Sequence, residues 1–483
     1  MKPLLIANEI SVWGVAQHVA PISLTLHAGL PLTLIGETGS GKSLIAQALM
    51  GSLPPELRAE GTLQIGEQKI DVARQPLEHR ALWGNTLSAL PQEPWLALDP
   101  TMRSRQQVRE GARYVRGLTP AQSDADAEQR LAEVGLAQHA RAFPWQLSGG
   151  MAQRVAFAAA RAGGAQILIA DEPTKGLDTE RRDDVGRLLL SEVQQGGALL
   201  TITHDIALAR QLGGEVAVIR QGQVVERGLA SQVLEHPQHA YTRKLLAADP
   251  ACWPETSLHP VAQTVVIEAQ SVTLSRGGHR LFEQQCLQIH AGEIVGISGP
   301  SGSGKSSFGD VLLSLISPCE GQIQRQPGIA KVRFQKLYQD PPSAFAPQIT
   351  LRQSLQDVIQ RHQLDERDIG PLMADLALAP TLLERTPATL SGGELQRFAL
   401  LRILLLKPVF IFADEPTSRL DPVVQQQTLA LLTRIARERQ CAVVLVSHDP
   451  HLLAKSTHRV ITLSKSDTEI SDNVTQRFQM CTE

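Results

Sequence analysis

The sequence predicts an α/β fold built twice in tandem, each copy a mostly parallel sheet wrapped by helices. Three observations carry this. Long strings recur in the same order: "GETGSGKS" (Gly36 to Ser43) as "GPSGSGKS" (Gly299 to Ser306), "LSGGMAQR" (Leu147 to Arg154) as "LSGGELQR" (Leu390 to Arg397), and "ILIADEPT" (Ile167 to Thr174) as "FIFADEPT" (Phe410 to Thr417). A repeat unit this long is a duplicated domain, not a short solenoid module. Within each copy, short apolar runs alternate with segments of helical period, the pattern of a parallel sheet. Those runs are continuous and end in acids, as strands buried on both faces do.

The elements follow in order. "PLTLIG" and "EIVGISG" are strands running into a glycine loop, and "SLIAQALMG" and "SSFGDVLLSLI" continue at helical period. "AQILIADE" and "VFIFADE" are a second pair of strands, and "ALLTITHD" and "AVVLVSHD" a third. The offset between copies is 263 residues at Lys42 and Lys305, but 243 at Ser148 and Ser391 and at Asp171 and Asp414. The second copy is therefore shorter between its glycine loop and its LSGG string. The segment from about Ala230 to Val265, with prolines and histidines and little strand pattern, separates the copies. The expected domains are residues 1–250 and 262–483.

Composition agrees and narrows the class. At roughly 100–200 residues per domain, 483 residues make two to four domains. Apolar content of 42% and charged content of 20% are those of a soluble globular chain, and a net charge of −3 gives no reason to expect nucleic acid. Five cysteines (Cys252, Cys286, Cys319, Cys441 and Cys481) show no C-x-x-C spacing, which argues against a metal or redox centre. The apolar run in "MKPLLIANEISVWG" is too short for a signal peptide, and no run approaches the roughly 18 apolar residues of a membrane span. The expectation is a cytosolic protein, or one attached to a membrane through partners.

The glycine loops fit G-x-x-x-x-G-K-[ST], whose backbone N–H groups curl round phosphate oxygens at a helix N-terminus. The phosphate-binding residues expected are Gly36, Glu37, Thr38, Gly39, Ser40, Gly41, Lys42 and Ser43, then Gly299, Pro300, Ser301, Gly302, Ser303, Gly304, Lys305 and Ser306. The lysines would reach the β- and γ-phosphates; Ser43 and Ser306 would hold Mg²⁺. Asp171 and Asp414 close the metal shell, and the neighbouring Glu172 and Glu415 suit a base that orients water.

The order of motifs resembles the ABC ATPases over nearly the whole chain. Each half has a Walker A loop, a glutamine (Gln92 in "LPQEPWLALDP", Gln339 in "LYQDPPSAFAP"), the LSGG signature and a Walker B "ADEPT". A D-loop aspartate (Asp178, Asp421) and a switch histidine (His204, His448) follow. The resemblance implies two P-loop NTPase domains, each with an antiparallel β subdomain and an α-helical signature subdomain. It implies ATP as substrate, Mg²⁺ as cofactor, and composite sites. Ser391, Gly392 and Gly393 would cover ATP on Lys42, and Ser148, Gly149 and Gly150 would cover ATP on Lys305. Gln92 and Gln339 would link Mg²⁺ or the water to the helical subdomain, and the histidines would contact the γ-phosphate. Both sites keep these groups, so both are expected to hydrolyse ATP.

Some positions depart from the family pattern. Trp13 fits the place where many members stack adenine, whereas the matching stretch of the second half offers Leu274, with Phe282 nearby. The first D-loop reads "TKGLD", making Lys175 and Gly176 unusual. Met151 and Glu394 differ immediately after the signature glycines.

Three classes of ABC protein lack spans: a transporter's energising subunit, a soluble factor acting on ribosomes or translation, and a DNA-repair ATPase. Repair members carry long insertions or a coiled coil, and ribosomal members a long charged linker; this chain has neither. "HPQHAYTRKLLAADP" (His236 to Pro250) is similar to the segment after the ATPase core in importers of dipeptides, oligopeptides and nickel or its chelates. "YTRKLL" could also be only a helix closing the first domain. The implied partners are two integral permease subunits and an extracytoplasmic solute-binding protein, at the cytoplasmic face of the inner membrane. Gln92 to Met102 and Gln339 to Ile349 are the expected docking stretches for the permeases. His236 and His239 read as surface or capping residues, and a lone Cys252 after the first half argues against an iron–sulfur cluster.

Overall fold

A computed structural model describes residues 2–463 except 93–96, 176, 178, 255–257, 278, 301 and 419; for residues 179, 180 and 279 it describes backbone only. The chain divides into two compact units, Met1–Ala247 and Ala248–Glu483.

The first unit opens with β1 (Pro3–Trp13) and β2 (Gln17–His27), a hairpin completed by β4 (Arg58–Ile65) and β5 (Gln68–Asp71). These four form an antiparallel sheet in the order β2-β1-β4-β5. The main sheet takes β3 (Leu32–Ile35), β6 (Leu87–Leu90), β7 (Ile167–Asp171), β8 (Ala198–Thr203), β9 (Glu215–Arg220) and β10 (Gln223–Leu229). Its order is β10-β9-β3-β8-β7-β6, parallel except for the β9–β10 hairpin. Every residue of β3 and β8 is buried, which is why those strands read as unbroken apolar runs.

Two apolar layers hold the main sheet. One, with Leu5, Ile10, Leu34, Ile45 and Ile169, joins it to the antiparallel sheet and to the helix Lys42–Met50. The other, with Val108, Leu131, Val155, Leu168 and Leu199, joins it to the helices Ser104–Glu110, Pro120–Glu133 and Gly149–Arg161. The first layer supports the glycine loop and the second supports the signature helix.

The second unit repeats this plan. An antiparallel sheet, β12-β11-β14, is formed by β11 (Val265–Arg276), β12 (His279–His290) and β14 (Glu320–Arg325). The main sheet joins β13 (Ile294–Ser298), β15 (Phe334–Leu337), β16 (Phe410–Asp414), β17 (Ala442–Val446) and β18 (Arg459–Thr462), all parallel, in the order β15-β16-β17-β13-β18. Its helical layer includes Leu351–His362, Ile369–Asp375 and Gly392–Leu405.

The helix behind the second glycine loop is Lys305–Leu312, shorter than the apolar run that predicts it. Ser314 takes a left-handed φ of 49° and turns the chain away. The segment between the copies is not a bare linker. Ala230–Glu235 and Ala240–Ala247 are helices of the first unit, and Trp253 packs on the core of the second. No helix among the described residues is long and apolar enough to cross a membrane.

Candidate functional site

Each glycine loop leaves a buried strand and enters a helix at a left-handed glycine, Gly41 (φ 100°) or Gly304 (φ 90°). That backbone turn is one a Cβ would disfavour, and it aims the first helical N–H groups into the loop. The lysines lie inside the curl. Lys42 Nζ donates to the carbonyls of Gly36 (2.9 Å) and Glu37 (2.8 Å) and to Ser40 Oγ (3.3 Å). Lys305 Nζ donates to the carbonyls of Gly299 (2.9 Å) and Pro300 (3.1 Å). Both lysines are buried. Ser301 lies outside the described residues.

The next residue of each loop reaches the acid ending the adjacent strand. Ser43 Oγ donates to Asp171 Oδ1 at 3.1 Å, and Ser306 Oγ to Asp414 Oδ1 at 3.0 Å. Burial pushes the Asp171 carboxyl up to about 6, against the pull of the Ser43 hydrogen bond. Burial raises Asp414 as well, opposed first by the Lys336 ammonium. A hydroxyl beside a buried carboxylate is a set of hard oxygen donors, which suits Mg²⁺ better than a softer metal. No cluster of three or more His, Cys, Asp or Glu side chains suited to a metal occurs among the described residues, so phosphate oxygens and water would complete such a shell.

Glu172 and Glu415 follow the aspartates in left-handed backbone, with φ of 50° and 45°. A bulky residue there is strained, at a cost of order 1–3 kcal/mol. The turn swings each carboxylate onto a histidine. His204 Nδ1 lies 2.7 Å from Glu172 Oε2, and His448 Nε2 lies 2.7 Å from Glu415 Oε1. Burial alone would raise Glu172, but the His204 charge and hydrogen bond outweigh it and hold the carboxyl below its ordinary value. His204 is raised in turn, burial being outweighed by Glu172. Gln339 Nε2 donates to Glu415 Oε2 at 2.7 Å, so the second unit gathers glutamine, glutamate and histidine at one point. Gln92 is exposed, and the residues following it lie outside the described set.

The LSGG serines cap exposed helix N-termini. Ser148 accepts from Met151 N (3.3 Å) and Ser391 from Glu394 N (3.3 Å). In the second unit Glu394 reaches back, accepting from Ser391 N (2.9 Å) and Ser391 Oγ (2.7 Å), a full capping box. Gly149 and Gly392 begin the two helices, followed by Gly150 and Gly393. The difference between Met151 and Glu394 thus decides whether the serine hydroxyl is bound to a carboxylate. Asp421 is buried and caps Pro422–Arg439 by accepting from Val424 N (3.0 Å); Asp178 and Gly176 lie outside the described residues.

The aromatic comparison is corrected by the strand register. Glu9 and Ser271 share a left-handed kink, and Gly61 and Gly321 close on Asn8 with Glu9 and on Gln270 with Ser271. This alignment sets Ser275, not Leu274, at the place of Trp13. Leu274 pairs with Phe282 across the hairpin, and both are core residues, with Phe282 edge-on to Phe308 at 5.2 Å. Trp13 is partly exposed, and its Nε1 donates to Ser11 Oγ at 3.0 Å.

Sequence reasoning missed two contacts. Tyr241, in the segment between the copies, is buried, and its hydroxyl accepts from Glu37 N of the first glycine loop at 3.0 Å. Lys336 Nζ lies 2.8 Å from Asp310 Oδ1 and 3.3 Å from Asp414 Oδ2. For the second, the available signal was a lysine in a short strand between the buried Phe334 and Leu337.

A family model described as "ABC transporter" matches residues 19–175 and 282–418, more than half of the chain. The chain belongs to the ABC transporter family. It is an ATP-binding protein and an ATPase of that family. It is 34% identical to the "uncharacterized ABC transporter ATP-binding protein YejF" of Escherichia coli strain K12, over 93% of this chain and 90% of that one. It is 32% identical to the "peptidoglycan transport ATP-binding protein YejF" of Agrobacterium fabrum, over 93% and 88%. It is 30% identical to the "glutathione import ATP-binding protein GsiA" of Salmonella typhimurium, over 92% and 81%. Among solved structures, "RNase-L Inhibitor" superposes with a TM-score of 0.62 at 20% identity, covering 94% of this chain and 87% of that chain. That likeness shows the fold alone.

Proposed function

We propose that the chain is the ATP-hydrolysing, energy-coupling subunit of an importer for peptides, metal chelates such as those of nickel, or a related small solute. One observation carries this reading: full-length similarity, over 92–93% of the chain, to tandem ATP-binding proteins whose names specify transport or import. The segment His236 to Pro250 supports it. The partners proposed are two permease subunits and an extracytoplasmic solute-binding protein, with this chain at the cytoplasmic face of the inner membrane.

In this reading the backbone N–H groups of the glycine loops, with Lys42 and Lys305, bind the phosphates. Ser43 with Asp171, and Ser306 with Asp414, would hold Mg²⁺, joined by Gln92 and Gln339. Mg²⁺ held there would supply charge neutralisation to the phosphates. Glu172 and Glu415 orient water and accept its proton, and the histidines fix their carboxylates. The signature of each half covers the nucleotide of the other half. Gln92 to Met102 and Gln339 to Ile349 receive the permeases; within the second, Phe345 is buried under the Arg402 guanidinium and stiffens the stretch.

Glu172→Gln and Glu415→Gln, made separately, test the site. Each removes at least half of steady-state ATP turnover; near wild-type turnover in either overturns the reading of two competent sites. Co-purification with permease subunits separates a transporter from a soluble factor, which would instead sediment with ribosomes.

A further inference from the structure

The two sites differ in cation content at positions matched by strand register. Ala89 pairs with Ile169, and Lys336 with Phe412, each three residues before its glutamine. Five residues after the glycine-loop lysines stand Gln47 and Asp310. The first unit therefore has Ala89, Gln47 and Ile169 where the second has Lys336, Asp310 and Phe412.

The three second-unit residues form one assembly. Lys336 is largely buried, with its ammonium between Asp310 (2.8 Å) and Asp414 (3.3 Å) and 5.7 Å from the Phe412 ring centroid. Asp414 thus spends Oδ1 on the Ser306 hydroxyl and Oδ2 on a fixed ammonium. In the first unit, Asp171 Oδ1 takes the Ser43 hydroxyl, and the matching position offers only a methyl group. Lys175 adds charge near Asp171 from the turn beyond Glu172, but Lys336 is in direct ionic contact with its aspartate.

Opposite charges a few ångströms apart in a partly buried site attract strongly, and an ammonium there partly neutralises the carboxylate. A divalent ion at Asp414 must share that carboxylate and meet repulsion from Lys336. Nucleotide phosphates nearby meet a positive charge that does not depend on any metal.

We propose that Lys336 is a built-in cation of the second nucleotide site, which makes nucleotide binding there much less dependent on Mg²⁺ than at the first. The inference rests on the proposed reading of Asp171 and Asp414 as the metal-side acids. It makes Lys336 a positioning and charge-setting residue, with Asp310 holding it in place.

The test is equilibrium binding of a fluorescent ATP analogue to the full chain, in Mg²⁺ or in EDTA. Lys42→Ala isolates the second site and Lys305→Ala the first. Removing Mg²⁺ is expected to weaken the first site by about tenfold or more and the second by less than about threefold. Adding Lys336→Met, which keeps the buried stem volume, makes the second site as Mg²⁺-dependent as the first. Ala89→Lys with Gln47→Asp lowers the dependence of the first. Equal Mg²⁺ dependence at the two sites, or no change with Lys336→Met in protein of unaltered unfolding temperature, overturns the proposal. If neither Lys42→Ala nor Lys305→Ala removes one equivalent of bound nucleotide, the site reading itself fails, and the lysine proposal falls with it.

Discussion

The hydroxyl of Tyr241 takes the amide hydrogen of Glu37 at 3.0 Å, and the Arg220 guanidinium lies over its ring at 5.0 Å. A side chain outside the ATPase core thus fixes the second residue of the first phosphate loop. Tyr241→Phe keeps the buried ring and leaves that N–H without its acceptor, a loss of about 1 kcal/mol. Nucleotide affinity of the first site, read in Lys305→Ala protein, is expected to fall about three- to tenfold, with the unfolding temperature lowered by no more than about 2–4 °C. Unaltered affinity would mean the contact does not position the loop. The glycine loops, the paired acids and the LSGG serines were legible in the sequence, because each needs particular residue types at fixed spacing. The contact of Tyr241 was not, since it joins residues far apart whose types each have commoner uses. The contacts of Glu172 with His204 and of Glu415 with His448 were hidden for another reason. They depend on left-handed backbone at glutamate, which no local propensity favours.

The phosphate-loop helices sit on the main sheets through a matched exchange of volume. In the first unit Ala46 and Ile169 belong to one core; in the second the corresponding residues are Gly309 and Phe412. A Cβ on Gly309 would lie 2.2 Å from two carbons of the Phe412 ring, so the glycine is there to admit the larger partner. Gly309→Ala is expected to destabilise the second unit by about 1–3 kcal/mol through overpacking. Adding Phe412→Ile recreates the first unit's pair and is expected to restore most of the loss in denaturant unfolding. A double variant no better than the single would refute the packing account. Repetition and periodicity disclosed the strand–loop–helix units themselves. They could not disclose this exchange, because Gly309 and Phe412 become neighbours only once the strand register is set. The same limit explains the misplaced aromatic comparison: Leu274 matched Trp13 by position along the string, but the kinks at Glu9 and Ser271 shift the match to Ser275.

At the scale of the molecule, the duplication has a testable mutational consequence. If the second signature covers nucleotide on Lys42, then Lys42→Ala and Ser391→Arg damage one functional site, and the double variant should turn over ATP no more slowly than the worse single. Lys42→Ala with Ser148→Arg damages both sites, and turnover should fall to background. Additivity is the expectation for groups that act independently, and its failure marks groups that act as a unit. The helix-capping roles of Ser148 and Ser391 bear on the choice of substitution, because Ser→Ala removes a cap worth about 1 kcal/mol and confuses stability with coupling. Arginine also loses the cap, so a stability control is needed. Ser148→Asp and Ser391→Asp keep an N-cap acceptor while placing negative charge where phosphate is proposed to approach. The aspartate variants should therefore follow the same pattern of coupling with Lys42→Ala at unchanged unfolding temperature. If Ser391 and Ser148 couple to Lys42 equally, the two signatures do not serve separate nucleotides, and crossed closure of the halves is refuted.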